Sequence, residues 1–261
     1  MNNIKTKNSI YKMKIALLIP STSKGRDWTN VRDTYLFNYT IKTFGITYDK
    51  EHEYTFYIGI DREDKVYDRK DVQEYLQKFV GVIKNTQIEF IYMDGIEKGH
   101  LTVMWNRLFD KAYSDGNEYF FQCGDDISFE THGWVNACIT ELEKSRGVGM
   151  AGPMNNNALI LTQSFVSRRH MELFGKYFPD EIINWCCDDW INEVYKRIGL
   201  YYPLRTHSCV NLGGQPRYNI NNDPAFELRF AKSLQKLRKL SSNIAERDVV
   251  EIGEKLKNIF A

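Results

Sequence analysis

Asn117-Glu118-Tyr119-Phe120-Phe121-Gln122-Cys123-Gly124-Asp125-Asp126-Ile127 reads as an aromatic strand that stops at a glycine and two adjacent carboxylates, before the chain turns apolar again. Two like charges at the tip of a hydrophobic strand are costly to hold together unless something positive neutralises them. A hard divalent cation shared with a phosphate-bearing ligand would do so, because Mg²⁺ and Mn²⁺ prefer carboxylate oxygens and usually share them with substrate phosphates. The competing reading is a polar turn whose aspartates cap the next element. The stretch alone does not separate the two.

Upstream, Lys14-Ile15-Ala16-Leu17-Leu18-Ile19-Pro20 is a continuous apolar run, as expected of a strand buried on both faces. It opens into the small polar loop Ser21-Thr22-Ser23-Lys24-Gly25, followed by an expected helix from about Asp27 to Phe44 closed by Gly45. Tyr54 to Ile60 reads as a second strand ending at Asp61, Asp71 to Val80 as a charged helix, and Gln87 to Tyr92 as a third strand. Leu101, Met104, Trp105, Leu108, Phe109 and Ala112 recur at helical spacing, so one face of that helix should pack on a sheet. Strand and helix alternate up to the opening stretch, which argues for an α/β fold with a mostly parallel sheet and right-handed crossovers. Ligands of such sheets bind beyond the carboxyl ends of the strands. Ser21, Thr22, Asp61, Asp125 and Asp126 all fall at those ends, and this convergence favours the metal reading over the turn reading.

The second half is less regular. Val148 to Pro153 and Ala158 to Thr162 read as short strands, and Ser167 as the cap of a short helix through Phe174 closed by Gly175. Arg168, Arg169 and His170 are expected on a solvated face of that helix, or against an anionic acceptor. Asp188-Asp189 opens another helix, with Trp190, Ile191, Val194, Tyr195 and Ile198 as its apolar stripe. After Leu204 a strand carries His207 into the loop Gly213-Gly214-Gln215-Pro216-Arg217. Residues 224–261 read as charged amphipathic helix, packed on the core or serving dimerisation or membrane-surface contact. The expected division is a main domain over residues 1–223 and a helical extension over 224–261.

Bulk properties remove several classes. With 261 residues the chain can bury one large core, and 43% hydrophobic with 26% charged residues is ordinary for a globular protein. A net charge of +1 gives no reason to expect nucleic-acid binding. No run approaches the roughly 20 apolar residues of a membrane span. Residues 1–14 lack the apolar segment of a signal peptide. Five cysteines without metal-knuckle spacing point to reduced thiols, so a cytoplasmic location is expected.

In this order the pieces resemble nucleotide-sugar glycosyltransferases of the GT-A fold, particularly inverting, family-two-like ones, over about residues 13 to 215. The likeness is carried by the apolar first strand with its polar loop, Asp61 after the second strand and the helix with Trp105-Asn106-Arg107. The carboxylate turn and the later Asp188-Asp189 complete it. The family's metal motif is usually Asp-x-Asp. Here the matching triplet is Cys123-Gly124-Asp125, so the first aspartate is absent, which implies a less tightly held metal or altered donor binding.

The resemblance implies a metal-dependent, inverting transfer of a sugar from a nucleoside diphosphate donor, UDP-linked, to a hydroxyl on a glycan, protein or small molecule. Mn²⁺ or Mg²⁺ would sit on Asp125 with Asp126 beside it and His207 as a further ligand, bridging the diphosphate as a Lewis acid. Ser21, Thr22, Asp61, Asn106, Asp125 and Arg217 would contact the donor. Asp188 and Asp189 are the candidate general bases, with Asp189 favoured, although aspartates also cap helices. Trp185 would offer an aromatic platform to an acceptor sugar. Two other readings stand beside this one. The missing first aspartate supports a catalytically inactive carbohydrate-binding or scaffold relative. A sugar nucleotidyltransferase would carry a glycine-rich, arginine-containing loop after the first strand, which Ser21 to Arg26 matches poorly.

Overall fold

A computed structural model describes residues 12–97, 99–213 and 224–261, the last span by backbone alone up to residue 232. Eight strands form one sheet: β1 (Lys14–Pro20), β2 (Glu53–Ile60), β3 (Thr86–Tyr92), β4 (Tyr119–Gln122), β5 (Ile127–Phe129), β6 (Met150–Met154), β7 (Ser164–Ser167) and β8 (Tyr201–Asn211). Their spatial order is β3-β2-β1-β4-β7-β6-β8-β5. Pairings β3/β2, β2/β1, β1/β4 and β6/β8 are parallel, whereas β4/β7, β7/β6 and β8/β5 are antiparallel. The sheet is therefore mostly parallel, with its antiparallel pairs gathered in the second half.

The continuous apolar run of β1 has a simple cause. Ile15, Leu17 and Ile19 enter one core with Phe44, Phe56, Phe121 and Trp134. Ala16 and Leu18 enter the other with Leu108, Phe120, Trp190 and Ala245. Successive side chains point to opposite faces, and both faces are covered. The first face carries α1 (Lys42–Thr47), α2 (Lys70–Val80) and α4 (Trp134–Glu143). The second carries α3 (Leu101–Ser114), α5 (Arg169–Phe174), α6 (Cys187–Arg197) and the long α7 (Pro224–Glu251), followed by α8 (Gly253–Phe260).

Several expected elements shift. The first helix does not run unbroken from Asp27. Asn30 and Asp33 form a capping box over a short 3₁₀ turn (Val31–Asp33), and the main helical run begins at Leu36 as a π-turn that continues into α1. Gly45 lies inside α1 rather than closing it, where a Cβ would stand 3.0 Å from Ile83. The strand expected at Ala158 to Thr162 is a turn, because Asn155 and Asn157 side chains take the amides of Asn157 and Leu159. The strand itself comes later, as β7. Two elements had no reading in the sequence: β5 and α4. β5 ends the sheet, and its outward amides at Ile127 and Phe129 donate to the Thr40 and Thr43 hydroxyls of the helix beside it. All five cysteines are free and buried. Among the described residues no helix is long and apolar enough to cross a membrane.

Candidate active site

Strand directions decide which side chains meet. β6 and β8 run the same way as β1, because β7 reverses against β4 and β6 reverses again. α6 returns the chain to the start of β8, so its first turn lies at the carboxyl edge of the sheet. Asn192 of α6 confirms the placement by exchanging two hydrogen bonds with Leu161, in the loop joining the carboxyl end of β6 to β7. Ser21, Thr22, Asp61, Asp125, Asp126, Trp185, Asp188 and Asp189 are therefore brought to one edge. The opposite edge holds a cleft of about 620 Å³ among Lys14, Glu53, Gln87, Glu89, Lys111 and Asp115. Its charges largely satisfy one another, with Lys111 2.9 Å from Glu89 and 2.6 Å from Asp115.

The loop after β1 is fastened by a residue the sequence analysis passed over. Asp64 is buried and accepts from the Thr22 hydroxyl (3.1 Å), the Ser23 amide (2.7 Å), the Ser23 hydroxyl (2.6 Å) and the Val66 and Tyr67 amides (3.0 and 2.9 Å). Burial alone would push its carboxyl up. The bonds from Ser23, Tyr67 and Val66 outweigh that and hold it below the usual carboxylate range. Asp64 thus joins the β1 and β2 loops, while Asp61 is half-buried directly after β2. The signal was present as the second aspartate of Asp61-Arg62-Glu63-Asp64, opposite a serine-rich loop. Ser21 is also buried, and its hydroxyl finds no hydrogen-bond partner among the described residues.

The carboxylate turn is shaped by glycines. A Cβ on Gly124 would lie 2.5 Å from one Asp126 carboxylate oxygen, and one on Gly213 only 1.8 Å from the other. The Asp126 carboxylate therefore sits between two backbone segments that tolerate no side chain at those points. The Leu212 amide donates to the Asp126 carbonyl at 2.9 Å, which fixes the end of β8 against the turn. Burial pushes the Asp126 carboxyl up, and the Arg26 guanidinium pulls it the other way. Asp125 is fully buried, whereas Asp126 keeps partial exposure. A partly exposed carboxylate held in place at the strand ends can serve as one inner ligand of a dication whose other positions belong to phosphate and water. The residues present fit such an ion through Asp126.

Two expected contacts, those of His207 and Asn106, are not assembled as the motif implied. His207 lies four residues along β8 from Asn211, the partner of Ile127, so strand rise carries it roughly 13 Å away from the turn. Its ring stands beside Gly133 at the start of α4 and contacts the Thr206 hydroxyl. Among the described residues no group of three histidine, cysteine or acidic side chains is placed to hold a metal. Asn106 is buried, and its side chain is used in holding the chain. It donates to the Phe178 carbonyl (2.9 Å) and accepts from the Tyr177 and Phe178 amides (3.1 and 2.8 Å), so it anchors that loop rather than facing a donor. Arg217 lies outside the described residues. His170 also differs from expectation. It is buried, with Nδ1 2.7 Å from the Tyr195 hydroxyl and Nε2 3.0 Å from the Tyr177 carbonyl, and burial lowers its pKa to about 4.

The second acid pair opens α6. Cys186, just before it, adopts a left-handed backbone (φ 70°), a conformation that a β-carbon disfavours. Asp188 is half-buried, and its carboxylate accepts from the Asp189 amide at 3.0 Å. Burial, and then the neighbouring charge of Asp189, push the Asp188 carboxyl up to about 6. Asp189 lies 3.8 Å from Arg238 of α7. Trp185 presents an exposed indole (43%) just ahead of this turn. The two acid pairs and the Asp64-fastened loop thus share one edge, with the exposed Trp185 indole just ahead of the second pair.

No protein-family profile and no curated protein matches the sequence. Solved structures do match its fold. The structure of S. aureus TarS 1-349 in complex with UDP-GlcNAc superposes with a TM-score of 0.53 at 10% identity, covering 92% of this chain and 71% of that one. S. aureus TarS 1-349 gives 0.52 at 10% identity over 92% and 70%. The longer S. aureus TarS gives 0.50 at 10% identity over 76% of this chain, which spans 36% of its length. At such identity the likeness is one of fold: the helix-flanked α/β sheet expected from the sequence is a GT-A-like sheet.

Proposed function

We propose that this chain is a glycosyltransferase that moves a sugar from a UDP-linked donor to an acceptor hydroxyl, with inversion and with a divalent cation at Asp126. The observation that carries the reading is the shared carboxyl edge. The Asp64-fastened loop, the glycine-gripped Asp126 and the Asp188-Asp189 turn come from distant parts of the sequence and end on one side of the sheet. Support also comes from the fold, which resembles that of TarS 1-349 in complex with UDP-GlcNAc.

When bound, the cation supplies Lewis-acid stabilisation of the departing diphosphate. The chain's own residues do the rest. Thr22 and Ser23, tied to Asp64, present the β1 loop to the nucleotide. Asp188 takes the proton of the acceptor hydroxyl. Motif position favoured Asp189, but a proton acceptor works best with a pKa near the working pH, and Asp188 at about 6 meets that condition. Asp189 keeps that value high through its charge and pairs with Arg238. Trp185 can stack on the acceptor sugar, whose CH face suits an indole.

Calorimetric titration with UDP-GlcNAc, with and without Mn²⁺, tests the proposal together with a donor-hydrolysis assay. Metal-dependent binding and slow hydrolysis are expected in the parent. Asp126→Asn should lose both, with turnover falling by at least about 100-fold. Full turnover in Asp126→Asn, or after chelation of the metal, would refute the metal role. Nucleotide binding without turnover against any acceptor panel would favour the binding-protein reading.

A further inference from the structure

The turn that carries Asp188 and Asp189 is held from outside its own element. Ser241 of α7 is buried and donates from its hydroxyl to the carbonyl of Cys186 at 3.0 Å. That carbonyl belongs to the residue in the left-handed conformation, and it also receives the first helical bond of α6, from the Trp190 amide (3.1 Å). One turn further along α6, the Trp190 indole donates to Asp248 of α7 at 2.9 Å. Asp248 is fixed in turn by Arg247, which reaches Glu181 at 2.6 Å in the segment leading into α6. Ile244 and Ala245 lie between these polar contacts and are buried in the same apolar cluster as Trp190 and Ile191. Ser241, Ile244, Ala245 and Asp248 thus recur at helical spacing along the face of α7 that meets the core.

We propose that α7 is a positioning element of the site, in which the Ser241 hydroxyl holds Cys186 in its left-handed conformation and so sets where the Asp188 and Asp189 carboxylates stand. The inference rests on the reading of Asp188 as the proton acceptor. Without the Ser241 hydroxyl, Cys186 relaxes to an ordinary backbone conformation and the first turn of α6 unwinds toward water. The groups that face Asp188 there are Asp189, the Cys186 and Cys187 thiols, and Arg238 from α7. Ser241 touches no reacting atom, and its effect passes through the backbone.

The test is a ¹³C-carboxylate NMR titration of Asp188 in the full chain without substrate, for the parent, Ser241→Ala, Ser241→Thr and Arg238→Gln. The parent midpoint is expected near 6. Ser241→Ala should move it toward the usual carboxylate range, Ser241→Thr should restore it, and Arg238→Gln should move it further up. A midpoint unmoved in Ser241→Ala would overturn the proposal, with the rise in Arg238→Gln showing that the signal reads Asp188. If Ser241→Ala does not fold, an unmoved midpoint in Ser241→Cys, whose thiol is only a weak donor, overturns it instead. Donor hydrolysis supplies a second readout: kcat of Ser241→Ala should fall about tenfold, with KM for UDP-GlcNAc unchanged. If the parent shows no turnover, the glycosyl-transfer reading fails while the titration still decides the role of α7.

Discussion

Asp125-Asp126 and Asp188-Asp189 look alike in the sequence and are built in opposite ways. The first pair is shaped by its own neighbourhood. A strand stops, Gly124 opens space, and the nearby β8 terminus brings Gly213 against the same carboxylate. The second pair is shaped by a helix that arrives some 50 residues later, through Ser241, Arg238 and Asp248. A locally built acid site is rigid because its backbone leaves no alternative. A remotely built one is adjustable, because its geometry depends on a few contacts from one distant helix.

The largest effect should come from breaking the local grip. Gly213→Ala places a carbon 1.8 Å from an Asp126 oxygen, so the carboxylate must leave its place. Mn²⁺-dependent UDP-GlcNAc binding should weaken and turnover should fall by roughly 100-fold, the scale of rate loss that an ångström-scale misplacement can bring. The Asp188 midpoint should not move. Calorimetry and the carboxylate titration, run on one preparation, check both. A joint shift would show that the two pairs are not independent.

Next in size is the response of the second region to acid. His170 packs beside Trp190 and bonds to Tyr195, both on α6. Its pKa falls from 6.5 to about 4, so the native state resists the proton. Its contribution is intact above pH 6.5 and drains away as pH falls toward 4, by about 3 kcal/mol in all. Denaturant unfolding from pH 7.5 to 4 reads the loss, and His170→Gln should flatten that part of the curve. A parent curve with the same slope as His170→Gln would place the acid sensitivity elsewhere.

The smallest effect separates catalysis from stability. Asp188 has a raised pKa, so its ionised form is disfavoured in the native state. That cost is full above pH 6 and disappears below about pH 4, the reverse of His170. Asp188→Asn should therefore stabilise the protein at pH 7 by about 1 kcal/mol after allowance for solvent screening, while transfer is lost. Thermal melts at pH 7 and pH 4.5 should differ in the sign or size of the gain. Destabilisation at pH 7 would mean that the carboxylate serves mainly to cap α6.

The parallel half of the sheet was legible because each of its strands is apolar and each is closed by a polar loop. β1, β2 and β3 and helices α2 and α3 fall where the pattern placed them. The mixed half was not, because short strands between asparagine-rich turns carry no period. Residues 158–162 are as apolar as β7, and only the side chains of Asn155 and Asn157 reveal them as a turn. At the site, carboxylates after strands could be read, since a position after a strand survives folding. Asn106 and His207 could not, because a polar residue's task depends on which backbone groups or strand register it meets. Asp64 and Ser241 show the converse: residues with no motif acquire their roles from elements far along the chain.

The hydroxyls of Thr40 and Thr43 that occupy the β5 amides have an effect on assembly. A sheet grows into a larger one only where backbone donors and acceptors stand open at a border strand. Here two outward amides of one border strand are already taken by a helix from the same chain, so among the described residues strand-to-strand association of two copies is favoured at β3 rather than at β5.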